Sequence, residues 1–465
     1  MRKIISLVIA SVLLLALFTL AVSAGGNQVA LISGGTTTEY ADYKDGFKAA
    51  KAGDTVKLLT DITLYGSESL TVSAGSDLTV DGNGKTIYSP YTCFYCPSAS
   101  ETNRTKLTLK NLKIDCTEKS GKHSVQIASY IDLLVENCDF KSSYDGVCVE
   151  GVYNKITLKD SSLYSAATYG IRAKNCNEYL LENTKITSSG GSCIEVASKW
   201  TPAAEITLKN CEFTANGNFC LWLQGNNNAT IEGGTYTTVG SANKPAAIYV
   251  DGGNSNLTIK DGTFSCDYGS AITVKGASTV NIEGGTFNYT GAGAGSALVA
   301  SAGTVNITGG TFVSNGTDAV INVTGADANV TITRATCTNK GSAAVPAYAN
   351  NGQTVESFPA GATTVTIPVP PETEPETTTG SPEVTSSEPE VTTSEPEVTT
   401  SGTEVTTTGS VVTTSTPEAT TAKPEVTTSA PAPSTGENTQ MLFVICGVVF
   451  LALAAVVVVK IREKI

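Results

Sequence analysis

Apolar and polar residues alternate along most of this chain in short bursts. "VNIEGGTF" at 280–287 and "VNITGGTF" at 305–312 are nearly the same octet, 25 positions apart. In each, apolar residues take the first, third and last places, the period of two that marks a strand. The octet returns as "LTIKDGTF" at 257–264, "ATIEGGTY" at 229–236 and "ITLKNCEF" at 206–213. Weaker copies are "ITLKDSSL" at 156–163, "LLVENCDF" at 133–140 and "LTLKNLKI" at 107–114. The last residue of each copy serves as a ruler: Ile87, Ile114, Phe140, Leu163, Ile186, Phe213, Tyr236, Phe264, Phe287, Phe312 and Cys337, with steps of 23 to 28 that average 25. A sustained step of that size marks a solenoid.

A second strand follows each octet: "GVCVEG" at 146–151, "GIRAKN" at 170–175, "CIEVAS" at 193–198, "CLWLQG" at 220–225, "AIYVDG" at 247–252 and "AITVKG" at 271–276. No helical period occurs inside the repeats, which excludes helical solenoids, and no recurrent Leu framework supports a leucine-rich repeat. The pattern predicts an all-β chain, a right-handed single-stranded parallel β-helix whose coils stack about 4.8 Å apart. The ruler residues then form an internal stack. Three positions earlier, Asn111, Asn137, Asp160, Asn183, Asn210 and Asp261 form a ladder at a bend, because Asn and Asp tolerate left-handed backbone. Gly233, Gly284 and Gly309 take that place in later coils.

The stretch "YADYKDGFKAAKAGDTVKLLTDITL", from Tyr40 to Leu64, predicts a cap with a short helix near Tyr43–Ala52 stopped by Gly53. With "LTVDGNGKTI" at 78–87 it resembles the entry of bacterial pectin-lyase-like β-helix surface proteins, over roughly residues 30–345. The resemblance implies the fold. It leaves activity open, because that family includes polysaccharide lyases, glycosidases, epimerases and non-catalytic adhesins.

Composition changes at both ends. Arg2 and Lys3, an apolar run from Ile4 to Leu20 and then "AVSA" read as a signal peptide over 1–24. Residues 25–75 read as cap and first coil, 76–345 as the β-helix and 346–369 as its C-terminal edge. Residues 370–440 are rich in Thr, Ser, Pro and Glu, repeat "SEPEVTT" at 387–393 and 394–400, and read as a disordered stalk. Residues 441–459 carry no charge and read as a transmembrane helix, with a basic cytoplasmic tail over 460–465. Pro433, Ser434, Thr435 and Gly436, followed by that apolar run and basic tail, resemble the cell-wall sorting signal of Gram-positive surface proteins, with Ala432 where Leu is usual. The resemblance implies sortase cleavage between Thr435 and Gly436. A plain single-pass anchor is the alternative, and either reading places the body of the chain outside the cell.

Candidate chemistry is sparse. His123 is the only histidine, which rules out a His-rich metal site, and it reads as a solvated turn residue. No metal or cofactor is expected. Arg172-Ala173-Lys174 matches the Arg-x-Lys of polygalacturonase-like members, but their paired Asp residues and Gly-His-Gly are missing. In the second strand the third position faces out and reads Gln126, Cys148, Arg172, Glu195, Trp222, Tyr249 and Thr273 along the coils. The fifth reads Ala128, Glu150, Lys174, Ala197, Gln224, Asp251 and Lys275. Glu150 should adjoin Lys174, and Trp222 should sit beside Tyr249 in the open. Arg172, Glu195, Trp222, Gln224, Tyr249 and Asp251 form a candidate sugar-binding strip, since ring faces stack on sugars and polar groups bond their hydroxyls. Glu195, Asp251 and Arg172 are the catalytic candidates if the face is a groove. A polar sheet face with ordinary cross-strand pairs is the structural alternative.

Twelve cysteines include Cys446 in the apolar run, which leaves eleven outside the membrane. "CFYC" at 93–96 reads as a loop insertion with a local disulfide. Cys138 and Cys211 read as free packing residues, and Cys193 and Cys220 as rungs of adjacent coils. The net charge of −13 argues against nucleic acid as a partner. Altogether the sequence points to a surface-anchored binding or adhesion module for a glycan or another cell surface. A polysaccharide lyase or glycoside hydrolase, or a purely structural surface protein, are the alternatives.

Overall fold

The computed structural model describes residues 26–367, apart from 67–68, 175–176, 199–201 and 241–245. The expected signal peptide, stalk, sorting signal, transmembrane segment and basic tail fall outside the described residues. Among the described residues the fold is a parallel β-solenoid of about 11 turns with one short helix. Each coil contributes a strand to three sheets. In one coil, Ile131–Glu136 lies in the first sheet, Asp139–Ser142 in the second and Val147–Val149 in the third. Strands of the same sheet pair in parallel from coil to coil.

The ruler residues pair rung by rung from Ile87 through Phe213 to Cys337. Phe140, Phe213, Tyr236, Phe264, Phe287 and Phe312 are all fully buried in that one column. From Tyr236 to Phe312 successive rings stack with centroids 4.9 Å apart and planes within 11° of parallel. That spacing is the coil rise itself, so one aromatic per coil at a fixed position necessarily yields a face-to-face column.

The bend between the first two sheets carries the expected ladder. Asn111, Asn137, Asp160, Asn183 and Asn210 have φ between 47 and 51°. Their side chains bond along the axis, with Asn137 Nδ2 donating to Asn111 Oδ1 at 2.8 Å and Asn210 Nδ2 to Asn183 Oδ1 at 3.0 Å. Asp261 leaves this pattern at a register shift against Glu232. In the next coils the left-handed residue is Gly285 or Gly310, one place after the expected Gly284 and Gly309. Gly234 shows why glycine is needed there: φ is 104°, and a Cβ would sit 2.2 Å from the carbonyl oxygen of Cys211.

Both ends close with antiparallel strands, which cover the edges a solenoid exposes. Val29–Ser33 pairs antiparallel with Thr36–Tyr40 and Asp54–Leu58, and Thr364–Ile367 pairs antiparallel with Ala335–Asn339. The helix is Tyr43–Ala49, capped by the Asp42 carboxylate, which accepts from Lys44 N at 2.8 Å. It stops short of Ala52 because the Asp54 carboxylate takes the backbone N–H of Lys51 at 2.8 Å, forming a turn.

Among the described residues, Cys93, Cys96, Cys116, Cys138, Cys148, Cys193, Cys211, Cys220 and Cys337 are buried and form no disulfide. The local Cys93–Cys96 disulfide is therefore corrected. Cys96 ends the strand Phe94–Cys96, and Cys93 lies against Cys116 of the next coil. Cys138 and Cys211 are packing residues whose thiols reach backbone carbonyls. Cys193 and Cys220 are neighbouring rungs, both free.

Candidate functional site

The third sheet has an outer face unlike the other two. The outer faces of the first and second sheets carry exposed rung pairs, Lys155–Glu178 at 3.2 Å on the first and Lys185–Glu212 at 2.5 Å on the second, which contribute little to stability. On the third sheet the outward column reads Gln126, Cys148, Arg172, Glu195, Trp222, Tyr249 and Thr273 in continuous register. Alternation sets the direction: Leu221 and Leu223 flank Trp222 and both point into the core. Gln224 and Asp251 are neighbours in the other outward column.

A second column runs beside the first, made by the turn residue two places before each strand begins. His123, Asp145, Tyr169, Ser192 and Phe219 occupy it. Asp145 is wholly buried there. Its Oδ1 accepts from Thr168 Oγ1 at 2.5 Å and from Tyr169 N at 3.3 Å. Its Oδ2 lies 3.3 Å from His123 Nδ1 and 4.0 Å from Arg172 Nη1. His123 is thus not the solvated turn residue expected. Its side chain is only 12% exposed, held between Asp145 and an edge-on contact with Tyr144. Cys148 faces outward from the sheet yet is 1% exposed, because these turn residues cover it. Burial, reinforced by the Asp145 charge, pushes its thiol up to about 12, so it is a poor nucleophile.

Glu195 stands next to Arg172 and accepts a hydrogen bond from the Tyr169 hydroxyl. Burial raises its pKa, outweighing Tyr169 and Arg172, which pull it down. A raised folded-state pKa favours the protonated fold. Glu195 then contributes stability below the ordinary carboxylate range and loses it as pH rises through the raised value. Glu195→Gln should therefore melt at a higher temperature than the parent at about pH 7 and at the same temperature at about pH 4. Thermal unfolding at the two pH values checks this; a lower midpoint at neutral pH would mean that the ionised carboxylate is net stabilising.

Trp222 and Tyr249 are neighbours, but not in the open. Phe219 fills the space between them, stacked on Tyr249 at 4.3 Å and edge-on to Trp222 at 5.1 Å. Trp222 and Tyr249 are half-buried, with centroids 6.1 Å apart at 77°, and Lys275 Nζ lies 5.4 Å from the Tyr249 centroid. Trp222 Nε1 and Glu195 Oε2 are both buried and have no hydrogen-bond partner among the described residues. One is a donor and the other carries an acceptor, on adjacent rungs of one column.

Glu150 and Lys174 adjoin as expected, with Lys174 Nζ donating to the backbone carbonyl of Glu150. Asp251 stands two coils beyond Glu195 and in the other outward column, on the order of 12 Å away from rung and residue spacings. The two carboxylates therefore do not form a close acid–base pair. Sequence reasoning missed Asp145, Tyr169 and Phe219, and also a further aromatic pair. Tyr130 and Tyr153 stack at 5.3 Å on consecutive coils, with Arg104 one coil before them and 6.0 Å from the Tyr130 ring. Their φ values of 63° and 61° are unusual for a bulky residue. They line a groove of about 510 Å³ with Glu101, Asn177 and Glu205.

The family described as right handed beta helix region matches residues 100–198 and 146–312. The described residues form a parallel β-helix by their coil-to-coil pairing, in agreement with that match. No curated protein and no solved structure matches it.

Proposed function

We propose that this protein is a cell-surface binding module whose ligand, a carbohydrate chain, lies along the outer face of the third sheet. The observation that carries this reading is the unpaired donor at Trp222 Nε1 beside the unpaired acceptor at Glu195 Oε2, next to the Phe219–Tyr249 stack. A sugar hydroxyl both donates and accepts, so it matches an indole donor and a carboxylate acceptor on adjacent rungs, while ring faces suit its apolar side. Arg172 on one side and Gln224 and Asp251 on the other extend the polar contacts along the axis. The Tyr130–Tyr153 pair offers a separate aromatic surface of the same chemical kind.

The signal peptide, the extended stalk and the C-terminal anchor, read from sequence, support display outside the cell, with attachment through the membrane or through sortase-type linkage at Thr435. The raised Glu195 pKa favours a second reading, in which Glu195 is the general acid of a glycan-cleaving enzyme. A glycan array probed with the purified chain is expected to return a defined class of oligosaccharide retained intact. Shortened oligosaccharides would establish the enzymatic reading, and an array without hits would overturn the carbohydrate assignment.

A further inference from the structure

The cluster of His123, Asp145 and Cys148 takes no part in the sugar-binding reading, and its geometry is unusual. One donor atom from each residue lies within 4.8 Å of the other two. His123 Nδ1 and Asp145 Oδ2 are 3.3 Å apart, yet each is buried without a hydrogen-bond partner among the described residues. A buried carboxylate oxygen that accepts no hydrogen bond is costly even beside cationic groups, and the neighbouring ring nitrogen likewise lacks one. A separation of about 3.3 Å is the edge of a tetrahedron with bonds of roughly 2.0–2.1 Å, the distances at which zinc holds nitrogen and oxygen.

We propose that His123, Asp145 and Cys148 form a site for a divalent zinc-type ion. The donor set of one nitrogen, one oxygen and one sulfur suits zinc and disfavours calcium or magnesium, which take oxygen. The ion forms a bond to Cys148 Sγ as the thiol proton leaves to solvent, and it coordinates His123 and Asp145 through lone pairs with no change of oxidation state. Charge supports the arrangement. Asp145, Glu150 and Glu195 together outweigh Arg172 around Cys148, so a dication is compensated there. Thr168 and the backbone of Tyr169 hold Asp145 Oδ1, which orients Oδ2 toward the site. Asp145 and Cys148 are enclosed, so a fourth ligand from outside enters past His123, the most exposed of the three.

The test uses the purified full chain, stripped with a chelator and dialysed against zinc, with bound metal counted by elemental analysis. Cobalt replaces zinc in a parallel sample, where thiolate-to-cobalt absorption reports sulfur ligation. The parent is expected to retain about one zinc per chain and to show that absorption. His123→Gln and Cys148→Ser should each lose both signals, whereas Cys337→Ser, a buried thiol near the other end, and Trp222→Ala should keep them. His123→Gln is the decisive variant, since it changes the least buried member, and its unfolding profile is compared with that of the metal-free parent. A parent that retains no zinc, variants that retain it as the parent does, or equal loss in Cys337→Ser would overturn the site. Retention in Trp222→Ala keeps this result separate from the carbohydrate reading.

Discussion

Replacing Phe264 with alanine is expected to destabilise the solenoid by about 3–5 kcal/mol, among the largest effects of any single truncation in this chain. Phe264 is fully buried and lies between two rings, Tyr236 and Phe287, each 4.9 Å away and nearly parallel. Removing it takes away the transfer energy of one ring and the stacking of two interfaces, and neither neighbour can collapse into the gap without shifting its own rung. Coils contact only their neighbours, so the damage is centred on the two adjacent coils. Urea unfolding of the parent and variant measures it. Tyr164→Ala, at an exposed ring on the second sheet, should cost well under about 1 kcal/mol and serves as the reference. A Phe264 cost as small as that would place the ring outside the stack.

Trp222→Ala is expected to weaken carbohydrate binding at least about 30-fold, since a central aromatic anchor carries on the order of 2 kcal/mol or more. The variant loses the indole donor beside Glu195 as well as the ring edge packed on Phe219 and Tyr249. That packing also predicts a stability cost of about 1–2 kcal/mol, larger than for an exposed tryptophan and much smaller than for Phe264. Titration of the parent and variant with the best oligosaccharide from the array, at a temperature where both are folded, separates the two effects. Unchanged affinity in a folded Trp222→Ala chain would remove the third sheet from the binding surface.

The fold was legible because a solenoid is local. Ten consecutive ruler pairings, from Ile87–Ile114 to Phe312–Cys337, follow from a step of about 25 and a period of two, with no long-range topology to guess. The outward column through Arg172, Glu195, Trp222 and Tyr249 was legible for the same reason: inside a strand, inward neighbours dictate outward ones. The period failed at the turns. His123, Asp145, Tyr169 and Phe219 stand at one repeat position, two places before their strands, and that regularity is present in the sequence. Nothing in it says whether a turn side chain swings out to water or folds back over the sheet.

What the sequence determined by itself is therefore the coil, its register and the residues each face presents. Only the tertiary structure decided burial on the outer face. Turn residues fold back over the third sheet, so His123 is held against Asp145, Cys148 is enclosed and Phe219 wedges between Trp222 and Tyr249. The physical reason is that alternation specifies a direction relative to the sheet, whereas exposure depends on what the next coil's turn lays on top, and that is a property of neighbouring coils together.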